Sequence, residues 1–510
     1  MIWLVENHAA VLVVLIPLIA APLCMLFGNR SIAFYLSLLA SLCSFLLAVY
    51  LVFLVKDGTV LSYHIGGWAP PLGIEYRVDA ANALVVLIVA AISLVTLPYA
   101  RTSIQAEIAE KHHTLFYACF MLCFCGLLGV TITGDAFNVF VFLEISSLST
   151  YVLVALGAEK DRRALSAAYD YLILGTIGAT FFVIGLGLIY MATGTLNMVD
   201  LSERLASMES NRTVRSAFAF IIIGMGLKLA IYPLHRWLPG AYTFAPSAVS
   251  AFLAATATKV AIYVVLRFMF SVFSKEFGFE QDTLTYIMFP FALIAMFVAS
   301  MIAVYQVNVK RLLAYSSVAQ IGYMLLGIAL FSVTGLSATL VHLFNHAVTK
   351  GALFLAVGAI VYRIGSPLLP NMAGLGKKMP WTSAAIVAGG LSLIGIPGTV
   401  GFVSKWLLLQ AALEHGYWPI SLMIVLSSLI AIIYVWILIE TLYLKPVTEG
   451  IEASEAPISL LLPTWILVLA SLWFGFNAEF TVELTNTAAE GLFNGRFGMD
   501  ATIMGAEGRQ

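Results

Sequence analysis

Seven titratable side chains lie in stretches that offer them almost no polar company. Glu144 sits in AFNVFVFLEISSLSTYVLVAL and Lys228 in FAFIIIGMGLKLAIYPLHRWLPGAY. Lys259 follows in SAVSAFLAATATKVAIYVVLRF, and VHLFNHAVTKGALFLAVGA holds His342, His346 and Lys350. Lys405 closes the series in LSLIGIPGTVGFVSKWLLLQAAL. Inside hydrocarbon an ionisable side chain costs at least about 2.5 to 3.5 kcal/mol, so each one implies a partner, a water-filled cavity or a function. The chemistry such groups can do is proton movement. His342, His346 and Lys350 are spaced four apart and stack on one helix face, and a stripe of groups able to change charge is what a proton relay requires. Two histidines one turn apart are also compatible with zinc, but no glutamate lies between them and no third ligand is evident. A membrane hydrolase using the same histidines lacks a nucleophile.

The surroundings of these residues favour buried water. Ser146, Ser147, Ser149 and Thr150 flank Glu144, and Thr256 and Thr258 precede Lys259. Pro233 follows Lys228 and removes a backbone hydrogen bond, so the helix is expected to break between Lys228 and the Pro239 turn. A second interruption, Pro397 with Gly398 and Gly401, stands just before Lys405. Broken helices are tolerated in membranes where the freed backbone lines a polar cavity. Lysine precedes proline in the first segment and follows it in the second, an order that suits an inverted internal repeat.

The elements that must hold these side chains are transmembrane helices. The chain has 510 residues, is 61% apolar and 10% charged, and has a mean hydropathy of +0.98, too little polar surface for a water-soluble protein. The expected fold is all-α and polytopic, with about fourteen spans. The first eight lie near 9–28, 33–55, 79–98, 114–133, 137–157, 165–192, 216–237 and 247–272. The remainder lie near 284–305, 312–332, 336–362, 382–411, 417–440 and 457–475. The run after Glu6 and His8 lacks a basic leader region and reads as a retained helix. Residues 477–510 read as an interfacial helix and a loose tail, with no long helical arm beyond.

Short loops carrying Arg30, Arg101, Lys111, Arg163, Lys310 and Lys377 outweigh those carrying Lys56, Arg77, Arg204 and Lys275, which places both termini on the periplasmic or extracellular side. All five cysteines fall inside predicted helices and read as small apolar residues, without a framework for metal or iron–sulfur clusters. The net charge of −1 says nothing about nucleic acid, but no basic run is present and no nucleic-acid partner is expected. No cofactor is expected.

The segments FLEISSLSTYVLVAL, GLKLAIYPLHRWLPGAY with APSAVSAFLAATATKVAIY, NVKRLLAYSSVAQIGYMLLGI, HLFNHAVTKGALFLAVG and GIPGTVGFVSKW resemble an antiporter-like family. Mrp-type multisubunit Na+/H+ antiporters, respiratory complex I and membrane-bound hydrogenases share that family. The resemblance runs from about residue 115 to 415 in the family's order. It implies fourteen helices: three in 1–112, two inverted five-helix repeats in 113–272 and 273–441, each with a broken helix, and a last helix with a tail in 442–510. It also implies that Glu144 pairs with Lys228, that Lys259 and the stripe His342, His346 and Lys350 relay protons, and that Lys405 is the terminal group.

Lys405 stands where many middle subunits of complex I carry glutamate, which makes the chain more like the D-type member of the Mrp branch. Asp170 departs from relatives that look to have lysine there, and a salt bridge to Arg162 or Arg163 is one account of it. The expected function is a secondary transporter subunit rather than an enzyme. It would move protons within a monovalent cation/H+ antiporter of the bacterial inner membrane, beside other membrane subunits. The alternative is the proton-pumping membrane subunit of a complex I-like or hydrogenase-type redox complex, and neighbouring genes would separate the two.

Overall fold

In hydrocarbon every backbone amide needs a partner, and a helix supplies one from within its own segment. The structure, a computed structural model, describes residues 2–208, 211–273, 278–447, 453–498 and 501–504. It opens with α1 (Ile2–Phe27), α2 (Arg30–Val55), α3 (Ala80–Glu107), α4 (His113–Ile132), α5 (Ala136–Ala155) and α6 (Arg163–Thr193). The short helix α7 (Met198–Ala206) leads into α8 (Arg212–Leu229), α9 (Trp237–Phe244) and α10 (Ser247–Arg267). Then come α11 (Gly278–Thr283), α12 (Phe289–Val304), α13 (Val309–Ala329), α14 (Val333–Ile364) and α15 (Leu375–Lys378). The chain continues through α16 (Pro380–Ile394), α17 (Val400–Glu414), α18 (Trp418–Ile439), α19 (Ile458–Phe476) and α20 (Glu479–Phe493).

Among the described residues, 12 helices are long and apolar enough to cross a membrane. The two other predicted spans are split, one into α8 and α9 and the other into α16 and α17. Each of the fourteen expected segments is therefore helical, and the protein is an all-α polytopic membrane protein. Local sequence sets the helix starts: side chains of Asn29, Asp79, Asp135, Asn308 and Ser332 accept the first free amides of α2, α3, α5, α13 and α14.

The layering follows apolar character on all sides versus one side. The α10 window is 94% buried and that of α18 only 33%. α14 is central and packs against α3, α10, α13, α16, α17, α19 and α20. The outer face of α18 presents Leu422, Leu426, Leu429, Ile433 and Trp436, a surface for acyl chains.

Three expectations need correction. α3 continues to Glu107 rather than stopping near 98, because Pro98 is accommodated inside the helix. A hairpin of β1 (Leu61–His64) and β2 (Glu75–Val78) fills the loop after α2. The tail is not loose where it is described: β3 (Thr502–Ile503) pairs in parallel with β1, Thr502 N–H donating to Val60 O at 2.9 Å. Tyr63 of β1 also bonds His8 Nδ1 at 2.9 Å, so both ends of the chain meet one hairpin on the same face of the bundle. Lys275 and the tail residues 499–500 and 505–510 lie outside the described residues.

Candidate functional site

The first break forms where Ala230 takes a left-handed conformation (φ 61, ψ 43), a costly one for a residue with a Cβ. The Ile231 amide folds back onto Gly226 O at 3.0 Å, the chain turns through Pro233, and helix resumes at Trp237. Pro239 lies inside the first turn of α9, where proline is tolerated, so the break closes earlier than the proline spacing predicted. The indole of Trp237 donates to Leu227 O at 2.8 Å, satisfying a carbonyl that the interruption frees.

Lys228, in the last turn of α8, is 8% exposed. Its ammonium donates to Ser147 Oγ at 2.7 Å and reaches Glu144 Oε1 at 3.5 Å. Glu144 is the wetter partner, its side chain 25% exposed on the outer side of α5. α6 and α8 approach through paired glycines: a Cβ on Gly224 would sit 2.6 Å from Gly178 O.

The second break is built from glycine. Gly395 (φ 93) ends α16, and Gly398 (φ 87) turns the chain into α17. The two halves pass so closely that a Cβ on Gly401 would lie 1.8 Å from Ser392 O. Lys405, in the second turn of α17, reaches back to the open end of α16. It donates to Ile394 O at 2.8 Å, Leu393 O at 3.2 Å and Ser428 Oγ at 3.0 Å. Its Nζ also lies 4.9 Å from the Tyr323 ring centroid. A helix carboxy terminus carries a partial negative charge, and this lysine is placed against one.

Between the breaks run α10 and α14. Lys259 is fully buried and donates to Ala254 O of its own helix, with Thr258 Oγ1 at 3.5 Å. The rings of His342 and His346 stack nearly parallel, centroids 6.2 Å apart. His342 Nδ1 contacts Ser404 Oγ at 2.8 Å, while His342 Nε2 and both ring nitrogens of His346 have no hydrogen-bond partner among the described residues. A cavity of about 10 Å³, close to one water molecule in size, is bordered by Gln320, His342, His346, Thr349 and Lys405. Lys350, on the same helix, turns to α13 and donates to Leu313 O at 2.9 Å and to Ser316 Oγ.

The seven predicted residues thus divide into two groups. His342, His346 and Lys405 border the small cavity, Lys259 lies on α10 packed against α14 and Lys350 turns to α13, while Glu144 and Lys228 form a pair of their own. Asp170 does not meet Arg163, which is held by Asp161 at 2.6 Å; it lies on the exposed face of α6.

Sequence reasoning passed over several further buried charges, Glu75, Arg77, Arg267, Glu107 and Lys310 among them, and two of these meet at a cavity. Glu107 accepts from Ser247 N at 2.8 Å and from Ser103 Oγ at 2.6 Å, and Lys310 donates to Ala245 O at 3.2 Å. Both line a cavity of about 310 Å³ under the turn that joins α9 to α10. They stand at helix ends near Arg311 and Glu110, where a linear reading takes them for loop charges.

Comparison with known proteins shows the family. Residues 133–431 match the family described as NADH:quinone oxidoreductase/Mrp antiporter, TM. A relative named NADH-quinone oxidoreductase subunit N, from Desulforudis audaxviator, is 38% identical over 92% of this chain and 96% of its own length. A D-type Na(+)/H(+) antiporter subunit from Alkalihalophilus pseudofirmus is 30% identical over 93% of this chain and 94% of its own. Among solved structures, a chain of the Mrp complex from Dietzia sp. DQ12-45-1b superposes with a TM-score of 0.88 at 27% identity, covering 96% of this chain and 98% of that one. The chain belongs to the NADH:quinone oxidoreductase/Mrp antiporter transmembrane family.

Proposed function

We propose that this chain is the proton-translocating subunit of a multisubunit monovalent cation (Na+)/H+ antiporter, a secondary transporter subunit rather than an enzyme. Its place is the bacterial inner membrane, with both termini on the periplasmic side. The observation that carries the reading is the burial of five titratable side chains inside the bundle, three of them around one small cavity, together with the Glu144–Lys228 pair. Such groups are costly in hydrocarbon and are retained there for ion movement.

In this mechanism a proton arriving from one side changes the charge of Lys259 or of the histidines. The altered field acts on the Glu144–Lys228 attraction, and Lys405 passes the proton onward, to the far side or to a neighbouring subunit. Two unit charges at about 4 Å are worth roughly 4 kcal/mol at an effective dielectric of 20, large enough to couple protonation to pairing. Two inverted repeats, 113–272 and 273–441, would place a broken helix and its lysine in each half.

A second reading, a proton-pumping subunit of a complex I-like or hydrogenase-type redox complex, is favoured by the higher identity to the NADH-quinone oxidoreductase relative. Purifying the intact assembly and identifying its subunits tests the proposal. Co-purifying multi-pass antiporter subunits support it, and co-purifying iron–sulfur or quinone-reducing subunits overturn it in favour of the second reading.

A further inference from the structure

The turn between α1 and α2 lies beside the last two turns of α3 and the start of α4, and together they enclose a polar pocket of about 70 Å³. Its walls include Arg30, Arg101, Ser31, Gln105, His113 and Tyr117. Arg101 faces no carboxylate among the described residues. Its guanidinium lies over Phe34, 4.8 Å from the ring centroid, and its one hydrogen bond is a 3.4 Å contact with the Tyr35 hydroxyl. Arg30 gives one guanidinium nitrogen to Glu110 at 2.7 Å and keeps the others. Tyr117 is 2% exposed and borders the pocket between the two arginines' elements.

Two cations and a tyrosine hydroxyl around a space of this size are the recognition elements of a phosphate group. Carboxylates are a poorer match, offering fewer acceptor oxygens to three converging donors. The pocket's immediate surroundings are apolar and outward-facing: Met25, Leu26, Phe27, Ile32 and Tyr35 are all exposed next to it. A charged pocket at the end of a membrane bundle, continuous with an exposed apolar surface, matches both halves of a phospholipid.

We infer that this pocket binds the phosphate of an anionic phospholipid. Arg101 and Arg30 pair with the phosphate oxygens, Tyr117 donates its hydroxyl, and the acyl chains lie along the exposed residues of α1 and α2. Free inorganic phosphate offers the same oxygens without the chains, so the test must distinguish the two.

The experiment uses the full-length chain, purified in detergent, delipidated, and incubated with phosphatidylglycerol, phosphatidylcholine or inorganic phosphate before native mass spectrometry. Wild-type protein should retain phosphatidylglycerol in preference to phosphatidylcholine, and millimolar inorganic phosphate should not displace it. R101Q should weaken retention roughly fivefold, the effect of about one cation at a membrane surface. Y117F should weaken it less while leaving the thermal melt unchanged, which separates lost recognition from lost folding. R162Q, at an exposed arginine on the same face, should leave retention unaltered. Displacement by inorganic phosphate would overturn the lipid as ligand. Equal retention by R101Q and wild type, or an R162Q loss equal to that of R101Q, would overturn the site itself.

Discussion

The two interrupted helices solve one problem with different materials. At the first, the ammonium of Lys228 meets a carboxylate and a serine hydroxyl, and the turn rests on a strained alanine. At the second, the ammonium of Lys405 meets three neutral oxygens, two of them carbonyls at the end of α16, and the turn rests on glycines. The first charge is balanced by another charge, the second by oriented dipoles. A charge-balanced lysine is held by a partner that can itself gain or lose a proton, whereas the carbonyl and hydroxyl oxygens that hold a dipole-balanced lysine do not titrate. The first break therefore suits coupling, and the second suits handing on a proton.

Substitutions can break or sharpen that contrast. The largest effect is expected at Gly401, where an alanine Cβ would need to occupy space 1.8 Å from Ser392 O. G401A should lose folded protein from the membrane, measured by size-exclusion chromatography of a fluorescent fusion; normal yield would show that the second break is not tightly closed. Next is K228A, which should insert normally yet reduce Na+-dependent proton exchange by the reconstituted assembly to background. Full exchange by K228A would remove the first break from the mechanism.

E144Q keeps the shape of the partner but not its charge. Because Glu144 is quarter-exposed and partly screened, a loss of about tenfold, or roughly 1.4 kcal/mol, is expected rather than the full value of a buried pair. Exchange unchanged by E144Q would mean that Lys228 is balanced by Ser147 alone and that the two breaks are alike. The smallest effect belongs to G226A, whose Cβ would meet the Ile231 Cγ2 methyl at 3.1 Å, a contact relieved by a shift of a few tenths of an ångström. Activity within about threefold of wild type is expected, matching an ordinary helix substitution; collapse like that of G401A would erase the difference in tightness.

Much of this architecture was legible in the sequence because lipid leaves few options. Apolar runs of the right length gave the spans, and proline or glycine beside a lone lysine gave both interruptions. Partners were less legible. The His342–His346–Lys350 spacing put three groups on one helix, but spacing does not say that Lys350 turns away toward α13. Glu107 and Lys310 escaped notice because their burial depends on the α9–α10 turn folding over them, a tertiary event that local composition does not encode. The third strand of the small sheet was hidden because its pairing partner lies at the far end of the chain.

The carboxylate of Glu144 opens sideways, out of the bundle. Whatever covers that flank in an assembled complex sets how far the carboxylate's field extends, since a dry neighbour lengthens its reach and bulk solvent shortens it. The isolated chain therefore holds a dampened form of its own machinery. The field of the pair should reach further and depend less on salt once the adjoining protein is seated, so the neighbour acts as part of the insulation.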